Sequence, residues 1–225
     1  MLRDAFQREL LRVQDELLLL GSMVESALRE SVEILKRRDH EAAKRLRKAD
    51  HLINKQRFSI EDEVMTLIAT QQPVAGDMRV LAAILEISTE LERLGDYAKG
   101  IAKISLLIGD EPLIKPLIDI PIMADKACQM LSSALDAFAR RDLELAKAVP
   151  ARDKEVDRLY NQVYRELMEI IRADPGAIDQ ANHLLWAAHN LERTADRTLN
   201  ICERVIYMVT GSFVELTGKG ITEYA

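Results

Sequence analysis

The segment Leu91-Glu92-Arg93-Leu94-Gly95-Asp96 is echoed 100 residues later by Leu191-Glu192-Arg193-Thr194-Ala195-Asp196. A chain that repeats itself at this distance builds one structural unit twice, and that constrains its fold more than any other feature. In both copies an acid is followed by an acid four places on. On a helix this sets two carboxylates on one face, a turn apart, where like charges repel by roughly a few tenths of a kcal/mol. Such a pair, kept twice, calls for a neutralising partner: a metal ion or a facing cation.

The duplication reaches further back. Arg37-Arg38-Asp39 matches Arg140-Arg141-Asp142, Ala43-Lys44 matches Ala146-Lys147, and Asp50 matches Asp153, here 103 residues apart. The second copy therefore loses three residues before its Glu-Asp pair. The loop at 71–76, shortened to Ala173-Asp174-Pro175-Gly176, is where a helical unit tolerates such a deletion.

Apolar spacing and breakers give six helices. They run from about Arg3 to Arg38, from Asp39 to Gln71, from Pro73-Val74-Ala75-Gly76 to Gly109, from Ile122 to Arg141, from Asp142 to Arg172, and from Pro175-Gly176 to Gly211. Pro150 is expected to kink or break the fifth near its start. No strand pattern stands out. The fold class is all-α: two tandem three-helix bundles, 1–109 and 122–211, joined by a proline-rich linker at 110–121 and followed by a loose tail at 212–225. Short connections make neighbouring helices antiparallel.

A chain of 225 residues buries most of its apolar surface without disulfides or metal. The net charge of −6 weighs against a general nucleic-acid binder, though it leaves room for a local basic patch. The start at Met1-Leu2-Arg3-Asp4 has no signal-peptide pattern, and the longest apolar runs (17–20, 104–108) are too short to span a bilayer. Cys128 and Cys202 lack C-x-x-C spacing and read as small buried thiols. Together these features point to the cytoplasm.

The fifth helix carries another acidic pair at this spacing, Asp153 and Asp157. If the fifth and sixth helices are antiparallel neighbours, Asp153, Asp157, Glu192 and Asp196 converge into a donor set suited to hard cations, iron or zinc. Leu185, His189 and Glu203 share the Glu192/Asp196 stripe. The first-unit counterparts are Asp50, Asn54, Glu92 and Asp96. There Asn54 replaces an acid, and Lys99 and Lys103 fall on the Glu92/Asp96 stripe, able to neutralise it without metal. Any metal is therefore expected to be held more firmly in the second unit. Against this stands the plainer reading of solvated acidic faces on a helical scaffold. Trp186 is expected to pack between helices. Gln72 to Arg79 has one glycine only and reads as a helix-helix turn.

These residues resemble the PhoU family: Gln72 to Arg79, Leu91 to Asp96, Asp153/Asp157, and Leu191 to Asp196 with Asn200. The resemblance covers about residues 5–211. It implies two tandem three-helix bundles whose acidic motifs bind iron or zinc clusters, here at Glu92, Asp96, Asp153, Asp157, Glu192 and Asp196, with Asp50 a partial match. Two positions depart from the pattern, Asn54 in place of an acid and Gly100 where the second copy has Asn200. The resemblance also implies a negative regulator of phosphate uptake and of the phosphate-starvation response. Such a regulator contacts the phosphate transporter's ATPase subunit and a sensor histidine kinase, meets the membrane only through those partners, and commonly forms a homodimer. An enzyme is not expected. The competing reading, a carboxylate-bridged di-iron-type oxidase or hydrolase, would require Glu-x-x-His on two helices, and no Glu here is followed by His at that spacing.

Overall fold

The computed structural model describes residues 2–217 and 220–224. Helix α1 spans Leu2–Arg37, α2 His40–Gln71, α3 Ala75–Ile108 and α4 Asp119–Arg140. The expected fifth helix is split. Its first piece, α5 (Leu143–Ala148), gives way to a 3-10 turn at Val149–Arg152, and α6 runs over Asp153–Ala173. Pro150 sits in that turn, where it has no N–H to lose to a helical ladder. Helix α7 covers Ile178–Thr210.

The repeated Arg-Arg-Asp triplets make the same elbow twice. Arg38 (φ 55°) and Arg141 (φ 54°) adopt the left-handed conformation that ends a helix. The next residue then caps the following helix. Asp39 accepts from Ala42 N, and Asp142 from Leu145 N, both at 2.9 Å. At Arg38 the strained backbone is held in place by its own side chain, which donates to the carbonyls of Asp110 (3.0 Å) and Glu111 (2.9 Å).

Helix α3 packs on α1 and α2 within the first unit and on α7 of the second, and α7 packs on α3, α4 and α6. The α3–α7 pair is antiparallel, with Arg204 Nη1 3.1 Å from Glu86 Oε2 and Arg197 Nη1 3.0 Å from Glu90 Oε2. One hydrophobic core runs through both units, from Leu17, Leu28 and Ile60 to Phe138, Leu167 and Ile201.

Two segments differ from the sequence reading. The segment between the units is shorter than 110–121, because α4 already begins at Asp119. It is also strapped down. Gln180 Oε1 accepts from Ile114 N (2.6 Å), Gln180 Nε2 donates to Pro112 O (3.1 Å), and Lys115 pairs with Glu166. The tail beyond Gly211, expected to be loose, forms an antiparallel hairpin of β1 (Phe213–Thr217) and β2 (Gly220–Tyr224). Val214 and Leu216 alternate inward and are buried, which is a period-two signal too short to be noticed alone. Gly211 (φ 80°) ends α7 by donating its N–H to Tyr207 O at 2.8 Å, and so turns the chain back over the bundle.

Candidate metal centre

In the second unit the chain places Asp153 and Asp157 on the first two turns of α6. Glu192 and Asp196 lie mid-way along α7, the helix packed against it. Tyr160 and His189, with ring centroids 6.1 Å apart, mark the crossing. Asp153 is only 5% exposed. Burial, then the charges of Asp157, Asp196 and Glu192, pushes its carboxyl up to about 6. Burial and Asp196, opposed in part by Arg193, push Glu192 up to about 7. Burial and Asp196 also raise Asp157. The four acids thus lie within reach of one another's fields.

Their oxygens are poorly satisfied. His189 Nδ1 stands 3.2 Å from Glu192 Oε2, an ion pair only when the imidazole is protonated. That oxygen and Asp153 Oδ1 are buried with no hydrogen-bond partner among the described residues. Buried orphaned carboxylate oxygens are costly and fit a cation. A cleft of about 300 Å³ opens here, lined by Asp153, Arg193, Asp196, Arg197 and Asn200, with Leu216 and Thr217 of the hairpin. Arg193 Nη1 donates to Asp196 Oδ2 at 3.0 Å. Among the described residues no three His, Cys, Asp or Glu side chains close into a ready-made cage. The donor set, all carboxylate oxygens, suits a hard or borderline cation.

The first unit is wired differently. Asp50, 5% exposed, accepts from Lys99 Nζ at 2.6 Å and from Asn54 Nδ2 at 3.3 Å through its Oδ2. Lys99 Nζ also stands 3.7 Å from Asp96 Oδ1. Its ammonium is raised, mainly by the bond to Asp50. Glu92 Oε2 lies 3.8 Å from Arg93 Nε. In the first unit a lysine ammonium therefore neutralises Asp50. Lys103 is exposed and makes no ion pair among the described residues.

Sequence reasoning misplaced two side chains and missed two features. Trp186 does not pack between helices; it is 63% exposed on α7. Glu203 turns away from the acidic stripe, and its Oε1 accepts Leu216 N–H at 2.7 Å, pinning the hairpin. The bridge between units was not foreseen. Arg197 Nε donates to Tyr97 Oη at 2.8 Å, beside the Arg197–Glu90 pair. Nor were the surroundings of Gly100, at which a Cβ would meet the amide end of Asn190 at 3.0 Å. The expected buried thiols are found at Cys128 and Cys202.

The PhoU domain model matches the chain twice, at residues 17–105 and 120–205. A phosphate-specific transport system accessory protein PhoU homologue from Clostridium acetobutylicum is 38% identical over 217 residues, covering 96% of this chain and 99% of that protein. Its counterpart from Pseudomonas aeruginosa is 35% identical, covering 95% and 88%. The crystal structure of PhoU from Pseudomonas aeruginosa superposes with a TM-score of 0.84 at 35% identity, over 92% of this chain and 99% of that one. The phosphate transport system regulatory protein PhoU from Streptococcus pneumoniae gives 0.87 at 29% identity, over 94% and 100%. With both repeats matched, and relatives this similar along nearly their whole length, the chain belongs to the PhoU family.

Proposed function

We propose that this protein is a negative regulator of phosphate uptake and of the phosphate-starvation response. In this reading it is a cytoplasmic adaptor between the phosphate transporter's ATPase subunit and a sensor histidine kinase, acts as a homodimer, and is not an enzyme. The observation that carries the reading is the end-to-end match of both repeats to proteins named for phosphate-specific transport. Among the described residues no helix is long and apolar enough to cross a membrane, which agrees with attachment through partners.

Asp153, Asp157, Glu192 and Asp196 would hold an iron or zinc cluster, with Asp50, Glu92 and Asp96 a weaker second set. A bound cation would supply positive charge to Asp153 and Glu192, which no lysine or arginine pairs with among the described residues. Support comes from the mutual repulsion of the four acids and from the two orphaned oxygens. The chain's own part is to keep those oxygens dry, with Arg193 holding Asp196 when no cation does. The first unit meets the same need with Lys99.

Deletion of the gene in its native host tests the adaptor reading. Alkaline phosphatase output in phosphate-rich medium should become constitutive, and the intact gene should restore repression. Output that stays repressed in the deletion strain would sink the regulatory reading. Complementation by Asp153→Asn/Glu192→Gln then asks whether the carboxylates take part.

A further inference from the structure

The α1–α2 elbow, the linker and the start of α7 meet at one pole of the molecule, with opposite charges side by side. Residues 36–48 carry seven Lys and Arg against two Asp and Glu, in a chain whose net charge is −6. Arg45, Arg47 and Lys48 are exposed and make no ion pair among the described residues, and Arg37 is 77% exposed with only Glu33 near, at 3.5 Å. Next to this elbow lie Asp110, fully exposed and 3.7 Å from His40 Nδ1, and a cleft of about 330 Å³. Leu107, Ile108, Glu111, Asp179, Gln180 and His183 line that cleft. Glu111 and Asp179 are exposed and make no ion pair with a lysine or arginine among the described residues. Arg38, reaching from the elbow to the carbonyls of Asp110 and Glu111, fixes the two patches against each other. Leu107, Ile118 and Ile178 at the same pole are each more than half exposed.

We infer that this pole is where two copies of the chain meet: the basic elbow of each, around Arg37 and Arg45, docks on the acidic cleft of the other, around Asp110 and Glu111. The inference rests on the homodimer in the proposed function and gives it a surface. A two-fold interface is self-complementary, so that a patch on one copy meets a different patch on its partner and the reverse. Adjacent patches of opposite charge satisfy that requirement. The exposed leucine and isoleucines supply apolar area that such a contact would cover. Charge pairing of this kind sets orientation and speeds encounter.

Charge swapping tests it by sedimentation velocity at low ionic strength. Wild type should be a dimer. Arg37→Glu/Arg45→Glu and Asp110→Lys/Glu111→Lys should each associate at least ~10-fold more weakly, because both of their patches then carry one sign. Mixing the two variants should restore the dimer, since each elbow again faces an opposite cleft. In 1 M salt, where the Debye length is about 3 Å, the mixture should weaken. All four side chains are exposed, so unchanged melting curves should accompany the variants. Wild type that stays monomeric overturns both this inference and the homodimer. A wild-type dimer matched by dimeric variants overturns this surface and leaves the homodimer standing elsewhere. Monomeric variants whose mixture stays monomeric overturn the reciprocal pairing.

Discussion

Lys99 Nζ donates to Asp50 Oδ2 at 2.6 Å, and the second unit has no such bond among the described residues, Leu199 standing where the first unit has Lys99. One position thereby separates a self-neutralised acidic cluster from one with orphaned oxygens. Lys99→Leu should leave the buried Asp50 without a counter-charge, its Oδ2 held only by the Asn54 amide, at a cost of about 1–2 kcal/mol in urea unfolding, since Lys99 is itself partly exposed. The same variant should bind an additional equivalent of zinc through Asp50, Glu92 and Asp96. Equal zinc stoichiometry in wild type and variant would show that the lysine does not guard the site.

Metal content separates a cation site from a solvated acidic face. Purified without a metal-affinity tag, wild type should carry iron or zinc, and Asp196→Asn should lose it. Chelation should lower the melting temperature by several degrees, as buried carboxylates lose their counter-charge. An unchanged melting curve after complete metal removal would favour the solvated face.

The pH profile of the metal-free protein has a definite sign. Asp153 and Glu192 are raised to about 6 and about 7, so the folded state holds their protons more tightly than the unfolded chain does. Their contribution to stability is full below the ordinary carboxylate range and is lost as pH rises through those values. Metal-free protein should therefore lose about 1–2 kcal/mol between pH 5 and 8, a figure discounted for the partial exposure of Glu192. Glu192→Gln should flatten the slope and stabilise the metal-free state above pH 7 while abolishing metal binding. A flat wild-type profile would mean that the acids are solvated.

Glu203 holds the C-terminal hairpin through Leu216 N–H. Glu203→Leu leaves that donor unsatisfied and should cost about 1–2 kcal/mol. It should also speed amide exchange at Leu216. Glu203→Gln keeps the acceptor and removes a half-buried charge that burial already raises, so its stability should match or exceed wild type. Slow exchange at Leu216 in Glu203→Leu would show that the apolar contacts of Val214 and Leu216 suffice.

Much of the architecture is written locally. The Arg-Arg-Asp elbows, the i, i+4 acidic pairs, the break at Pro150 and the twin helical units all follow from spacings of a few residues. Of these, the acidic pairs also carried the family resemblance. Lys99 was legible as a possible counter-ion because it shares the stripe of Glu92 and Asp96. Its bond to Asp50, 49 residues away, was not.

The sequence by itself determined the helical class, the duplication, and which acids share a helix face. It could do so because helical periodicity is a property of neighbours three and four residues apart. Tertiary structure alone decided which acid received a lysine, why Trp186 faces outward, and what Glu203 binds. It also made a hairpin of a short tail, since two strands are marginal in water until a helix offers them a surface to pack on. Those outcomes depend on which faces meet across the α2–α3, α6–α7 and α7–β1 contacts, which no local spacing encodes.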